Sequence, residues 1–267
     1  MIRLLKIEFK KVSNNKTFWI LLGLYGLILG SILFGVQKVV NDFMVDAGKR
    51  APIPVSKISL YEFPAIWHNL TYLAGYFKII LAMVIIIFIT NEYSYRTIRQ
   101  NIITGLSRWD FLLSKILMTF VISLAATLFL FIIGVILGFA NTPDVQVPMM
   151  FENLVFIFAY FLELFAFLIF ALFLGVLTKR SGFTIGLLFL YFYIIEKYIV
   201  YKLPVNWGDF MPLRAIGQLI DIPNTSLMKI FGLNFREFVA LQDVLVVSAY
   251  TALFIYLSYL ILKKRDL

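Results

Sequence analysis

Between two long apolar runs lies a polar island, Asn91–Lys115, NEYSYRTIRQNIITGLSRWDFLLSK, which holds the chain's densest set of groups able to grip another protein. Glu92, Tyr93, Arg96, Thr97, Arg99, Gln100, Ser107, Arg108 and Asp110 offer charge and hydrogen bonds around a single glycine, Gly105. Their chemistry is recognition rather than bond-making. Read as a helix, the first half places Ile98, Ile102 and Leu106 on one stripe at four-residue spacing, with Arg96, Arg99 and Gln100 elsewhere around the barrel. Glu92 precedes Arg96 by four residues, the favourable order for a helical acid and base pair. Gly105 supplies a stop, and Ser107 followed by Asp110 reads as a capping box that starts a new helix. The pattern is helix, break, helix.

A second set sits inside the apolar runs: Lys78, Glu163 and Glu196, the last followed by Lys197. Ionisable groups at membrane depth are costly unless paired or facing water, so each is a functional candidate. By depth, Lys78 and Glu163 both fall in the outer half, where they either pair or line a cavity; otherwise Lys78 snorkels outward and Glu163 is protonated. His68 is the only histidine, with no carboxylate or second histidine beside it, and reads as structural. The chain has no cysteine, which excludes disulfides and thiolate sites. It has no phosphate-binding G-x-x-x-x-G-K-[ST] loop, no H-E-x-x-H and no G-x-S-x-G. No catalytic or metal-ligating constellation is expected, and no cofactor bound by this chain.

The elements that must position these residues are membrane helices. With 61% hydrophobic and 15% charged residues among 267, the composition is far from that of a soluble domain, which is roughly 25% charged. Crossing a hydrocarbon core of ~30 Å takes about 20 apolar residues. Six runs qualify: Phe18–Val36, Tyr72–Thr90, Ile116–Ala140, Leu154–Leu177, Phe183–Val200 and Val244–Leu262. The expected fold is all-α, a single transmembrane domain over 1–267. Residues 1–15 read either as an amphipathic interfacial helix, with Ile2, Leu5, Phe9 and Val12 on its apolar stripe, or as a basic flank that anchors the first span, and Asn14–Asn15 break the helix. Gly26/Gly30, Gly134/Gly138 and Gly182/Gly186 have the spacing that lets helices pack closely. Residues 38–71 are too polar to span, and Trp67 and Tyr72 suit an interfacial belt. Residues 201–243, broken by Pro204, Pro212 and Pro223, read as short helices dipping into the outer leaflet.

Net charge is +9, and its placement sets the topology. Five Lys/Arg precede Phe18, four lie in 91–115, two are Lys179–Arg180 and three end the chain, fourteen of the 24 on short segments of one side. Such bias puts both termini in the cytoplasm of a multi-pass inner-membrane protein. The basic balance is topology, and nucleic acid is not an expected partner.

Six spans with both ends inside, the amphipathic N-terminal helix, EYSYRTIRQNIITGLSRWDFLLSK between spans two and three, and the broken outer segment resemble the ABC-2 family of ABC transporter permeases over essentially the whole chain. The most specific part is Glu92, Arg96–Thr97, Gly105, Ser107–Arg108 and Lys115; Arg96 stands where many members carry glycine. The resemblance implies that 91–115 is a coupling helix. It would dock on a separate ABC ATPase subunit that binds ATP and magnesium, while two permease chains, identical or not, dimerise in the lipid bilayer to enclose an export path. The chain itself would be no enzyme. Two other classes compete: an ion- or proton-coupled carrier using Lys78, Glu163 and Glu196 as its relay, against which stands the absence of inverted-repeat signs, and a non-transporting membrane scaffold.

Overall fold

A computed structural model describes residues 2–50, 60–103, 105–224 and 235–264. Among these residues all regular structure is helical. Helix α1, Ile2–Ser13, ends at Asn14, and Asn15 Oδ1 accepts from Thr17 N at 3.0 Å to start α2, Lys16–Arg50. Then follow α3, Ile66–Gly75; α4, Lys78–Ser94; α5, Thr97–Ile103; α6, Arg108–Asn141; α7, Val147–Phe151; and α8, Val155–Thr178. Helix α9, Ser181–Leu190, passes through a π-helical turn, Tyr191–Ile195, into α10, Glu196–Lys202. Short α11, Val205–Gly208, and α12, Pro212–Gly217, precede the last helix, α13, Leu241–Lys264.

Five stretches are long and apolar enough to cross a membrane: Lys16–Asp42, Arg108–Asn141, Val147–Thr178, Ser181–Lys202 and Leu241–Lys264. The pair α3 and α4 qualifies jointly but bends by 47°. The run expected to span over 72–90 is therefore divided between the end of α3 and α4. At Tyr76 and Phe77 the backbone amides bond three residues back, to Leu73 and Ala74, which tightens the last turn of α3 before α4 starts anew at Lys78.

Helix α8 is the hub. It is apolar all round and packs against α4, α13, α6 and α3, so most of its side chains are covered by protein rather than lipid. Of its phenylalanines, Phe156, Phe167 and Phe170 are buried, Phe161 and Phe165 pack edge-on against Phe120 of α6, and Phe158 faces outward.

Three further expectations change. Trp67 is not an interfacial anchor: it is buried, stacked on Phe131 at 5.3 Å, with its indole N–H donating to the Met150 carbonyl at 2.8 Å. Gly134 makes that possible, since a Cβ there would stand 2.6 Å from the Trp67 ring, and Gly138 gives the same room to Phe63. This glycine pair seats aromatic side chains rather than a second backbone, while Gly30, Gly182 and Gly186 face open space among the described residues. Finally, protein covers the predicted stripe of α1 only in part: Val12 is buried and Leu5 half-buried. Phe9 is exposed, and the covered side chains are Glu8 and Val12, because Glu8 is drawn into an ionic cluster beneath α1. Side chains of Ile2 and Arg3, residue Thr104 and most of Leu227–Leu241 lie outside the described residues.

Candidate functional site

Two places gather ionisable side chains, one at each end of α4. At its Ser94 end, Lys115 of α6 is completely buried and its Nζ lies 2.6 Å from both Glu8 Oε2 of α1 and Glu92 Oε1 of α4. Lys11 adds a second ammonium, 2.9 Å from Glu92 Oε1 and 3.6 Å from Glu8 Oε1. Ser114 Oγ donates to Glu8 at 3.1 Å, the Thr97 hydroxyl donates to Glu92 Oε2, and the Phe88 ring lies 4.1 Å from the Lys115 ammonium. Two acids and two bases therefore close into a neutral, hydrogen-bonded knot that ties α1, α4, α5 and α6. Buried charges persist only when paired and satisfied in this way. At Lys11 burial acts to lower the pKa, but the hydrogen bond to Glu92 and the charges of Glu8 and Glu92 outweigh it and hold the ammonium above its ordinary value.

The knot corrects two readings. Glu92 is only 5% exposed and faces inward, so it is not a surface contact. Nor does it pair with Arg96, because the helix does not run through. Arg96 adopts a left-handed φ of +55° that turns the chain between α4 and α5, at the position where the resemblance calls for glycine. Gly105, at φ +96°, turns it again. Between these two turns sits α5, seven residues long, held by Thr97 on Glu92 and by buried Ile98.

The remaining residues of 91–115 divide by direction. Arg96, Arg99 and Gln100 are exposed, beside Tyr95 and Ile103, which are 73% and 77% exposed. Gly105 and Ser107 are exposed as well. Ser107 caps α6, accepting from Asp110 N at 3.0 Å and donating to Asp110 Oδ2 at 2.5 Å, as its spacing predicts. Arg108 turns inward and donates to the carbonyls of Leu262, at 2.9 Å, and of Lys263, where a cation complements the C-terminal end of α13. The half-buried Tyr93 ring receives the Lys179 ammonium at 5.2 Å. The structure thus brings an exposed basic and apolar face together and withdraws Glu92, Thr97, Arg108 and Asp110 from it. Glu8 and Lys11 were not singled out from the sequence; the available signal was an acid inside an otherwise basic amphipathic helix.

At the other end of α4, about 21 Å away along the helix from Lys78 to Glu92, a cavity of about 780 Å³ opens between α3, α8, α10 and α12. Lys78 Nζ lies 2.5 Å from Glu163 Oε1, both buried, so the two residues expected to pair or to line a cavity do both. Gly75 lies beside the carboxylate, where even a Cβ would meet Glu163 Oε1 only at a contact distance of 3.4 Å. The Phe167 and Phe192 rings flank the ammonium at 5.1 and 5.9 Å. Glu196 joins them, placed by the π-helical turn that immediately precedes it, a feature that re-aims the side chains after it. Its Oε1 accepts from Arg214 N at 2.6 Å. Sequence reading missed the tyrosines of this cavity, Tyr72, Tyr76, Tyr193 and Tyr201, because no spacing within one helix unites them. His68 stands outside it, stacked on Phe156 at 4.0 Å with Nε2 2.8 Å from the Asp221 carbonyl oxygen, as a structural histidine would.

Long apolar helices around a buried hub, with the buried ionisable groups of the described residues paired or facing a cavity, define an all-helical, membrane-spanning protein. The chain belongs to DUF2705, a family of proteins of unknown function, whose pattern it matches over residues 27–267. No curated protein matches it.

Proposed function

We propose that this chain is the transmembrane permease subunit of an ATP-driven ABC exporter, working as a dimer and driven by a separate ATPase subunit. On this reading the bent pair α3–α4 is one of six spans, both termini face the cytoplasm, and α5 is the coupling helix. The supporting observation is the geometry of α5: a short helix bracketed by two left-handed residues, its outer face exposing Tyr95, Arg96, Arg99 and Ile103, its root fixed to Glu92. A push on that face reaches α4, α6 and α1 together through the Glu92 knot, and α4 carries it to Lys78 at the cavity. ATP-driven closure of a partner biases the permease only if its contacts with α5 differ between two states. The chain supplies the lever and the partner supplies the energy.

The test is affinity purification of the tagged chain in mild detergent, with mass spectrometry of its companions, beside the variant Arg96→Glu/Arg99→Glu. A Walker-A ATPase that accompanies the native chain and drops away from the variant supports both the permease and the coupling role. No ATPase under conditions that preserve the dimer removes the proposal. A second reading draws on the buried Lys78–Glu163 pair: an ion- or proton-coupled carrier that works alone. Loss of transport on collapse of the proton gradient, with ATP maintained, favours that carrier.

A further inference from the structure

We propose that the cavity beside α10 is a binding site for a lipophilic organic cation, with Glu196 as its counter-ion and tyrosine rings as its walls. Among the ionisable groups that line the cavity, Lys78 is committed to Glu163 at 2.5 Å, and the Arg214 guanidinium to Asp209 at 2.7 Å. Lys197 is exposed at the rim, its ammonium 5.7 Å from the Tyr193 ring. Glu196 is left with no cation of its own. It is 3% exposed and forms no ion pair among the described residues: Oε1 is held by the Arg214 amide, and the carboxylate otherwise meets only neutral donors, the Leu213 amide and the Tyr191 hydroxyl.

A buried carboxylate without a counter-charge is expensive, and a cation brought to it from outside offsets that cost. The walls favour the same occupant. Tyr72, Tyr76, Tyr193 and Tyr201 line the cavity, and aromatic faces attract cations, as the Tyr193 ring already does for Lys197. The hydroxyls of Tyr72 and Tyr76 bond to each other at 2.7 Å, which leaves their rings as the available surface. Val200, Leu203, Leu213 and Ile220 supply the apolar lining that a hydrocarbon body needs. The volume, about 780 Å³, is in the range of sites that enclose small organic molecules. An anion would meet Glu196, and a strongly hydrated metal ion would find one carboxylate among aromatic rings. A cation carrying its own apolar groups satisfies both features.

As a transport substrate this ligand rests on the permease reading; as a bound ligand it rests on the cavity alone. The experiment therefore measures binding to the purified chain in detergent, without ATPase or ATP. The probe is radiolabelled tetraphenylphosphonium, with tetraphenylborate as an anion of the same shape. Saturable phosphonium binding, no comparable borate binding and at least a tenfold loss of affinity in Glu196→Gln, equivalent to about 1.4 kcal/mol, are the expected results. Tyr201→Ala, at the exposed mouth, should weaken binding several-fold and decides the matter if Glu196→Gln fails to fold. Equal affinity for both ions, unchanged affinity in both variants, or no saturable phosphonium binding overturns the proposal. Phosphonium binding by a chain that recruits no ATPase leaves the site standing and removes only the permease.

Discussion

The two ends of α4 solve the problem of buried charge in opposite ways. At Glu92, two glutamates and two lysines from α1, α4 and α6 pair with one another in a compact ionic network. At Lys78 an ion pair stands in the wall of a large cavity, next to a buried carboxylate, Glu196, that has no counter-charge among the described residues. A closed network rigidifies the helices that contribute to it. An incomplete one leaves a local demand that a ligand can meet. The first end is a joint and the second a receptacle, and α4 is the rod between them.

The sharpest way to break this contrast is Lys115→Met. It leaves Glu8 and Glu92 buried with only half-exposed Lys11 between them, so the folded chain should lose about 3–5 kcal/mol, the usual cost of removing one partner of a buried pair. Thermal unfolding of the detergent-solubilised protein measures it. The triple variant Glu8→Gln/Glu92→Gln/Lys115→Met should recover most of the loss, because an apolar or neutral set needs no compensation. A wild-type melting temperature for Lys115→Met would mean that the knot is not a joint.

The cavity pair should be more forgiving. Glu163→Gln or Lys78→Met alone is expected to cost about 1–3 kcal/mol, the range for an unsatisfied buried group that the cavity lets solvent reach. The double variant should melt near the native temperature and, if the chain is a transporter, change transport, which separates a functional pair from a structural one. If each single variant leaves both assembly and transport untouched, the pair has no role in either.

Lys11 sharpens the comparison through pH. Its folded pKa lies above the ordinary lysine value of about 10.5, so its contribution to stability is complete below that value and fades as pH rises through the higher folded one. The native chain should therefore lose melting temperature above about pH 10.5 more steeply than Lys11→Met does. Because Lys11 is half-exposed and screened, the difference should be small. Parallel curves for the two proteins would show that the rim of the knot carries no proton linkage.

What the sequence made legible follows from the range of the forces involved. Apolar runs, the Ser107–Asp110 cap and the Gly105 turn are local, and they stand where spacing put them. Lys78, Glu163 and Glu196 were conspicuous because charge within an apolar run is conspicuous, although only the fold shows that they share one cavity. The failures are long-range. Glu92 reads as a surface acid until Lys115 and Lys11 arrive from other helices, and Trp67 reads as an interfacial anchor until Gly134 opens a slot for it. The bend of α3–α4 has no proline to announce it.

The smallest expected effect concerns Arg96. At φ +55° an arginine pays conformational strain that glycine avoids, and its side chain is exposed. Arg96→Gly should therefore leave the fold intact and raise stability by at most about 1 kcal/mol, since glycine also gains freedom in the unfolded state. If α5 is a docking surface, the same change should weaken capture of the ATPase even as the melting temperature rises. Arg96→Asn, which tolerates the same backbone without the charge, should reproduce the weaker capture with little change in melting. A variant that gained stability and kept full capture would confine Arg96 to the turn and leave Arg99, Tyr95 and Ile103 to do the docking.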